Sequence, residues 1–167
     1  IFGRAIFILV FRPAVEIAES MFRKSRTVKN RPVFSRRWQN ELDSRDRPLP
    51  PPGVAAEWRG IWPEGTDFQR CLIYAASYLR AIRLGLKDIP PSRFILYSHA
   101  LFRENPAKVF GRISSFLELP VHGFQRAVQL IRSETTVVPE DLRAQAKEMD
   151  SILGLDDLTR SLETLSQ

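Results

Sequence analysis

The sequence predicts an α/β fold: a helix-rich domain built on a parallel sheet flanked by helices. Two short apolar runs, Ala5–Phe11 (AIFILVF) and Arg93–Tyr97 (RFILY), are rich in β-branched and aromatic residues. Such runs read as strands buried on both faces. Helical patterns separate them, which makes the strands parallel neighbours or near neighbours. Two parallel strands alone leave both edges open, whereas parallel sheets are normally larger and covered. The 167 residues are therefore expected to form the C-terminal portion of a single domain, 1–167, that lacks its N-terminal strands. Ile rather than Met at position 1 agrees with that expectation.

Arg12-Pro13 closes the first strand. Pro13 suits the first turn of a helix, where the amide proton it lacks would have no partner. Val15, Ile17, Ala18, Met21 and Phe22 follow at helical spacing, with Glu16, Glu19, Arg23 and Lys24 largely on the other side. A buried strand running straight into a helix is the first half of a βαβ unit, whose ligands gather at the carboxyl end of the strand. Arg12 stands at that end, and Ser20 lies two helical turns beyond it.

Ser25–Arg36 reads as a loop, followed by a short helix around Phe34–Leu42. Pro48, Pro50, Pro51, Pro52 and Gly53 make a stiff, extended connector. Trp58 and Trp62, in the ordered loop beyond it, either cap a core or line an acceptor cleft. Thr66 with Gln69 three residues later is a capping box. Phe68, Cys71, Leu72, Ala75, Leu79 and Ile82 form the stripe of the helix it starts, and Gly85 is expected to stop it. Asn105-Pro106 is a cap and first turn for the helix carrying Val109, Phe110, Ile113, Phe116 and Leu117, which Pro120 ends. Phe124–Arg132 and Pro139–Leu153 read as two more helices, the second stopped by Gly154. A last short helix runs from Asp156.

The hydrophobic share of 44% is that of a globular protein with a core. The lone cysteine, Cys71, excludes an internal disulfide and a multi-cysteine metal site, and its place on an apolar stripe predicts a packed thiol. His99 and His122 are far apart, and no ligand spacing suggests a metal. The net charge of +6 is uneven: residues 1–50 carry 11 basic and 5 acidic side chains, residues 101–167 carry 8 and 10. Arg23, Lys24, Arg26, Lys29, Arg31, Arg36 and Arg37 follow one another with no acid between. This stretch is either a solvated basic loop or an attractive surface for an anionic ligand near the first helix. No nucleic-acid motif accompanies it. No stretch reads as a signal peptide or a membrane span, so a cytoplasmic protein is expected.

FRPAVEIAES resembles the segment of sulfotransferases that binds the 3′-phosphate of the donor 3′-phosphoadenosine 5′-phosphosulfate (PAPS). There an arginine ends a strand and a serine stands eight positions later on the next helix. Arg12 and Ser20 keep that spacing, while the usual proline falls one position later than Pro13, where this chain has Ala14. The chemistry stands independently: an arginine fork suits a phosphate dianion, and a helix hydroxyl adds a directional bond. RFILYSHALFRENPAKVFGRISSFLELP is similar to the strand, acidic loop, Asn/Asp-Pro helix start and closing Phe-Leu-x-Leu-Pro of bacterial-type members. Where their loop commonly reads Glu-Asp-Leu, this chain has His99, Ala100 and Leu101. The resemblance spans roughly residues 5–120.

The resemblance implies a P-loop-type sheet and transfer of a sulfuryl group from PAPS to a hydroxyl or amine of a small molecule, glycan or protein. It implies PAPS, or its desulfonated form PAP, as the bound nucleotide at Arg12 and Ser20, and no metal. In-line transfer depends on positioning and on neutralising charge, which the family achieves with a glycine-rich loop bearing a lysine or arginine. It also needs a base for the acceptor proton. No residue here is assigned that catalytic role. Gly60–Thr66 has a two-glycine spacing before a helix, but Glu64 sits in the cradle and no apolar strand precedes it, so it reads as coincidence. The isolated chain is accordingly expected to be inactive.

His99, at the end of a strand-like run, is a candidate for lining the site. His122-Gly123 reads as a turn. Arg132-Ser133 is a surface pair or a second reach toward donor phosphate, and Asp150, Asp156 and Asp157 read as solvated helix ends. Two alternatives stay open: another nucleotide- or phosphosugar-dependent transferase on the same βαβ core, and a degenerate, non-catalytic module whose basic loop binds polyanions.

Overall fold

The structure, a computed structural model, describes residues 5–27, 42–120, 128–129 and 137–166. In chain order these form β1 (Phe7–Phe11), α1 (Ala14–Thr27), a 3-10 turn (Ala56–Trp58), α2 (Asp67–Leu86), a second 3-10 turn (Pro91–Arg93) and β2 (Phe94–Ser98). Four helices follow: α3 (His99–Glu104), α4 (Pro106–Leu117), α5 (Glu140–Leu153) and α6 (Leu155–Leu165). The described residues are thus helix-rich with one small parallel sheet, compatible with an α/β class. The expected helices over 34–42 and 124–132, His122-Gly123, Arg132-Ser133 and most of the basic stretch lie outside the described residues.

The chain divides into two compact units, the first made of residues 1–12, 83–136 and 160–167, the second of 13–82 and 137–159. In the first unit β1 and β2 pair in parallel, with Phe7 opposite Phe94 and Phe11 opposite Ser98. Arg93 clamps the start of the pair, its Nε and Nη2 donating to the Ala5 carbonyl at 3.2 and 2.9 Å. Tyr97, Val109 and Ile113 form a buried cluster, with Ile95, Leu101, Phe102, Phe110 and Leu117 packed against it. Phe102 and Phe110 meet edge to face at 5.5 Å. Arg112 stacks over the Tyr97 ring, 5.3 Å from its centroid.

One strand departs from expectation. β1 is shorter than the Ala5–Phe11 run and is not buried on both faces: Ile6, Ile8 and Val10 are 50%, 44% and 48% exposed. Register explains it. Ile8 and Val10 pair with Ile95 and Tyr97 and so share their side of the sheet. The α3–α4 cluster packs onto Ile95 and Tyr97 of β2, and its cover stops one strand short. β2 fulfils the expectation, with adjacent Leu96 and Tyr97 both buried.

In the second unit α2 buries Phe68, Cys71, Leu72, Ala75 and Leu79, each apolar side chain the size of Leu or Phe contributing roughly 1.5–3 kcal/mol. Phe22 of α1 meets Phe68 edge to face at 5.7 Å. Trp58 and Trp62 are both buried, the core-capping alternative. Ser77 Oγ donates to the Ile73 carbonyl and accepts the Ala55 N–H, joining α2 to the segment after the prolines.

The capping box is reciprocal: Thr66 N–H donates to Gln69 Oε1 at 2.8 Å and Gln69 N–H to Thr66 Oγ1 at 3.2 Å. Asn105 Oδ1 accepts the Lys108 N–H at 3.0 Å with Pro106 in the first turn of α4. Other details differ. Pro13 precedes α1, its carbonyl accepting the N–H groups of Glu16 and Ile17. Glu19, placed on the polar face by the sequence, is buried, and Arg23 pairs with it one turn later at 3.2 Å. Gly85 does not stop α2, which runs on to Leu86. Glu118, not a glycine, takes the left-handed position that closes α4 (φ 55°), so that Leu119 N–H can reach the Ser114 carbonyl at 2.9 Å. Gly154 does close α5, at φ 59°.

Candidate functional site

Parallel pairing decides which side chains meet. Phe11 and Ser98 are partners at the carboxyl ends of β1 and β2, so the next residues, Arg12 and His99, leave the sheet at the same edge. Arg12 Nη2 donates to His99 Nε2 at 2.6 Å. A guanidinium has donors only and keeps its charge, so Nε2 is the acceptor and the imidazole proton sits on Nδ1. That Nδ1 is buried and has no hydrogen-bond partner among the described residues. His99 opens α3, whose first turn is fixed by Ser98 Oγ accepting the Leu101 N–H at 3.2 Å.

Arg103 lies four residues further along α3, a spacing that stacks it over His99 on one helix face. Burial first, then the charges of Arg12 and Arg103, hold the His99 imidazole below its ordinary pKa of 6.5. All three side chains are partly exposed. Two fixed cations beside a neutral imidazole repel a metal ion and favour an anion. A tetrahedral oxyanion fits the donors best, because the fork of Arg12 can offer two parallel bonds. While it accepts from Arg12, His99 Nε2 is not free to act as a base.

Sequence reasoning named Arg12 and His99 separately and missed their contact. The signal was present: each directly follows an apolar run, and parallel strands bring such positions together. Arg103 was missed too, although the i, i+4 spacing in HALFR shows it. Ser20 is half-buried on α1 and belongs to the second unit, whereas Arg12 belongs to the first.

The Gly60–Thr66 loop has a structural job. Gly65 N–H donates to the Trp62 carbonyl, and Arg70 holds the carbonyls of Trp62 and Pro63 through Nε and Nη2, both at 3.1 Å. A 3-10 turn precedes it and Glu64 pairs with Arg47 at 2.8 Å, so neither context nor charge suits a phosphate cradle. A cavity of about 210 Å³ in the second unit lies among the first turn of α1, α5 and α6. Arg143 and Lys147 line it together with Asp150 and Asp156, a mixed set with no preference for one sign of charge. Asp150 is not merely solvated there: its Oδ1 accepts the Asp156 N–H at 3.0 Å and caps the start of α6. Among the described residues no helix is long and apolar enough to cross a membrane, and no group of three His, Cys, Asp or Glu side chains could hold a metal ion. No family model, no curated protein and no solved structure matches the chain.

Proposed function

We propose that the chain is part of a P-loop-type, sulfotransferase-like domain that transfers a sulfuryl group from PAPS to a hydroxyl or amine acceptor. In this reading the chain supplies the half of the site that grips the donor's 3′-phosphate, through Arg12 and Ser20. The observation that carries it is the place of Arg12: a guanidinium at the carboxyl end of a parallel strand, held by an imidazole and, among the described residues, by no carboxylate. Its charge is left for a ligand. The spread of the resemblance over FRPAVEIAES and the segment from Arg93 to Pro120 adds support. No lysine- or arginine-bearing phosphate loop is recognisable in the sequence, so the chain alone is expected to bind nucleotide without turning over.

Calorimetric titration with PAP tests the reading. Arg12→Ala should weaken binding about 10- to 100-fold, the loss of a charge-assisted bond, and Ser20→Ala by a smaller factor. Equal affinity for ATP and PAP would favour another nucleotide-dependent transferase. Binding only to polyanions, falling steeply with salt and indifferent to Ser20→Ala, would favour the non-catalytic module. Sulfate transfer by the chain itself, abolished by Arg12→Ala, would overturn the expectation of inactivity.

A further inference from the structure

At the position after β2 this chain carries an imidazole where the sequences it resembles carry a carboxylate. The difference changes what Arg12 can do. A carboxylate would neutralise the guanidinium permanently and compete with any incoming anion. Neutral His99 holds the guanidinium in place at 2.6 Å without itself neutralising the charge. Among the described residues Arg12 pairs with no carboxylate. The groups acting on His99 are Arg12 from the end of β1 and Arg103 from its own helix. On α4, which packs against α3, Lys108 is in the exposed first turn, and Arg112 lies over Tyr97 and reaches the Ser166 carbonyl at 3.5 Å. Glu104, the acidic residue of α3, is exposed.

We propose that Arg12, His99 and Arg103 form a proton-coupled site for a tetrahedral oxyanion, a phosphate or sulfate group, in which the ligand displaces the Arg12–His99 hydrogen bond and His99 becomes a third donor. This rests on the reading of Arg12 as a phosphate ligand and adds His99 and Arg103 to it. The exchange balances. The guanidinium turns its N–H groups from Nε2 to the oxyanion, the freed Nε2 takes one proton from solvent, and the resulting imidazolium donates to the same anion. Before binding, two cations and partial burial oppose that proton; afterwards the anion's charge favours it. Binding and protonation therefore promote each other, and affinity rises as pH falls, by at most tenfold per pH unit.

Inorganic sulfate is the probe of choice, because its own charge does not change between about pH 8 and pH 5.5. Titration of the full chain should show affinity rising at least threefold over that range. His99→Gln, which can accept from Arg12 but cannot take up a proton, should bind with no pH dependence, and Arg103→Met should lose threefold or more. The sequence has two histidines, His99 and His122, so the imidazole C–H resonances of the unsubstituted protein report the same event without relying on a variant. The His99 resonance, told apart from that of His122 with the variant His122→Asn, should titrate at higher pH with saturating sulfate than without.

Absence of sulfate binding, an affinity flat with pH, or a His99 titration that sulfate leaves unmoved would each overturn the proposal. PAP separates it from the sulfotransferase reading. If sulfate couples to His99 and PAP binds no tighter than sulfate, the oxyanion site stands and the nucleotide reading falls. If PAP binds tightly and depends on Arg12 and Ser20 while sulfate leaves the His99 titration unmoved, the reverse holds.

Discussion

Arg12 and His99 tie the carboxyl ends of two parallel strands together through their side chains, with a 2.6 Å hydrogen bond from Nη2 to Nε2. The bond requires a neutral imidazole, and burial and two arginine charges press the same way. The His99 pKa is lowered in the folded chain, so below about pH 6.5 the unfolded chain binds the extra proton and the folded one resists it. Stability is therefore full above about pH 7 and declines as pH falls toward the folded-state pKa. In dilute buffer without multivalent anions, the melting temperature should drop between pH 7 and 5.5 more in the unsubstituted protein than in His99→Gln. His122 is common to both, so the difference belongs to His99. Parallel curves would refute the coupling.

The helix starts give a second expectation. Replacing Asn105 by Ala should cost about 1 kcal/mol, because its Oδ1 accepts the otherwise orphaned Lys108 N–H. Thr66→Ala should cost about as much, and Gln69→Ala less. Thr66 Oγ1 also donates to Gln145 Oε1 at 3.1 Å. The two box residues hold each other's backbone, so the double variant should lose less than the two single losses together. Urea denaturation of the four proteins checks this.

These starts were legible in the sequence because a cap is local: Thr66 and Gln69, or Asn105 and Pro106, carry their meaning within four positions. The buried strand at Phe94–Ser98 and the stripe of α2 were legible for a similar reason, since period alone marks a buried face. Burial of Ile8 and Val10 was not, because cover over one strand depends on how far the neighbouring helices reach. Glu19 was misread because a stripe shows which residues are apolar, not how deep a polar neighbour lies. At the site, Arg12 could be named from one segment, but its bond to His99 needs the register of two strands that helices separate.

Cys71 should be inert in the folded protein. It is wholly buried on α2, and burial pushes its pKa up to about 12. Thiolate is the reactive form, so a disulfide reagent at pH 8 should label it only as fast as the protein opens. Full, immediate labelling in denaturant is the control. Rapid labelling of the native protein would show that the α2 core is not packed as described.

Two glycines at helix ends should respond to alanine with opposite signs. Gly85 is exposed in the last turn of α2, and a Cβ there would meet nothing within 4 Å. Gly85→Ala should stabilise by roughly 0.5 kcal/mol, by removing freedom from the unfolded chain and adding helix propensity. A Cβ at Gly154 would also meet nothing within 4 Å, but the backbone there is left-handed at φ 59°. Gly154→Ala should therefore destabilise by about 1 kcal/mol, through backbone strain and not through contact. Glu118 shows the converse at the end of α4: an exposed L-residue at φ 55°, where Glu118→Gly should gain roughly 0.5–1 kcal/mol. Chemical denaturation of the three variants decides it. Loss of stability in Gly85→Ala would mean that α2 ends at the glycine after all.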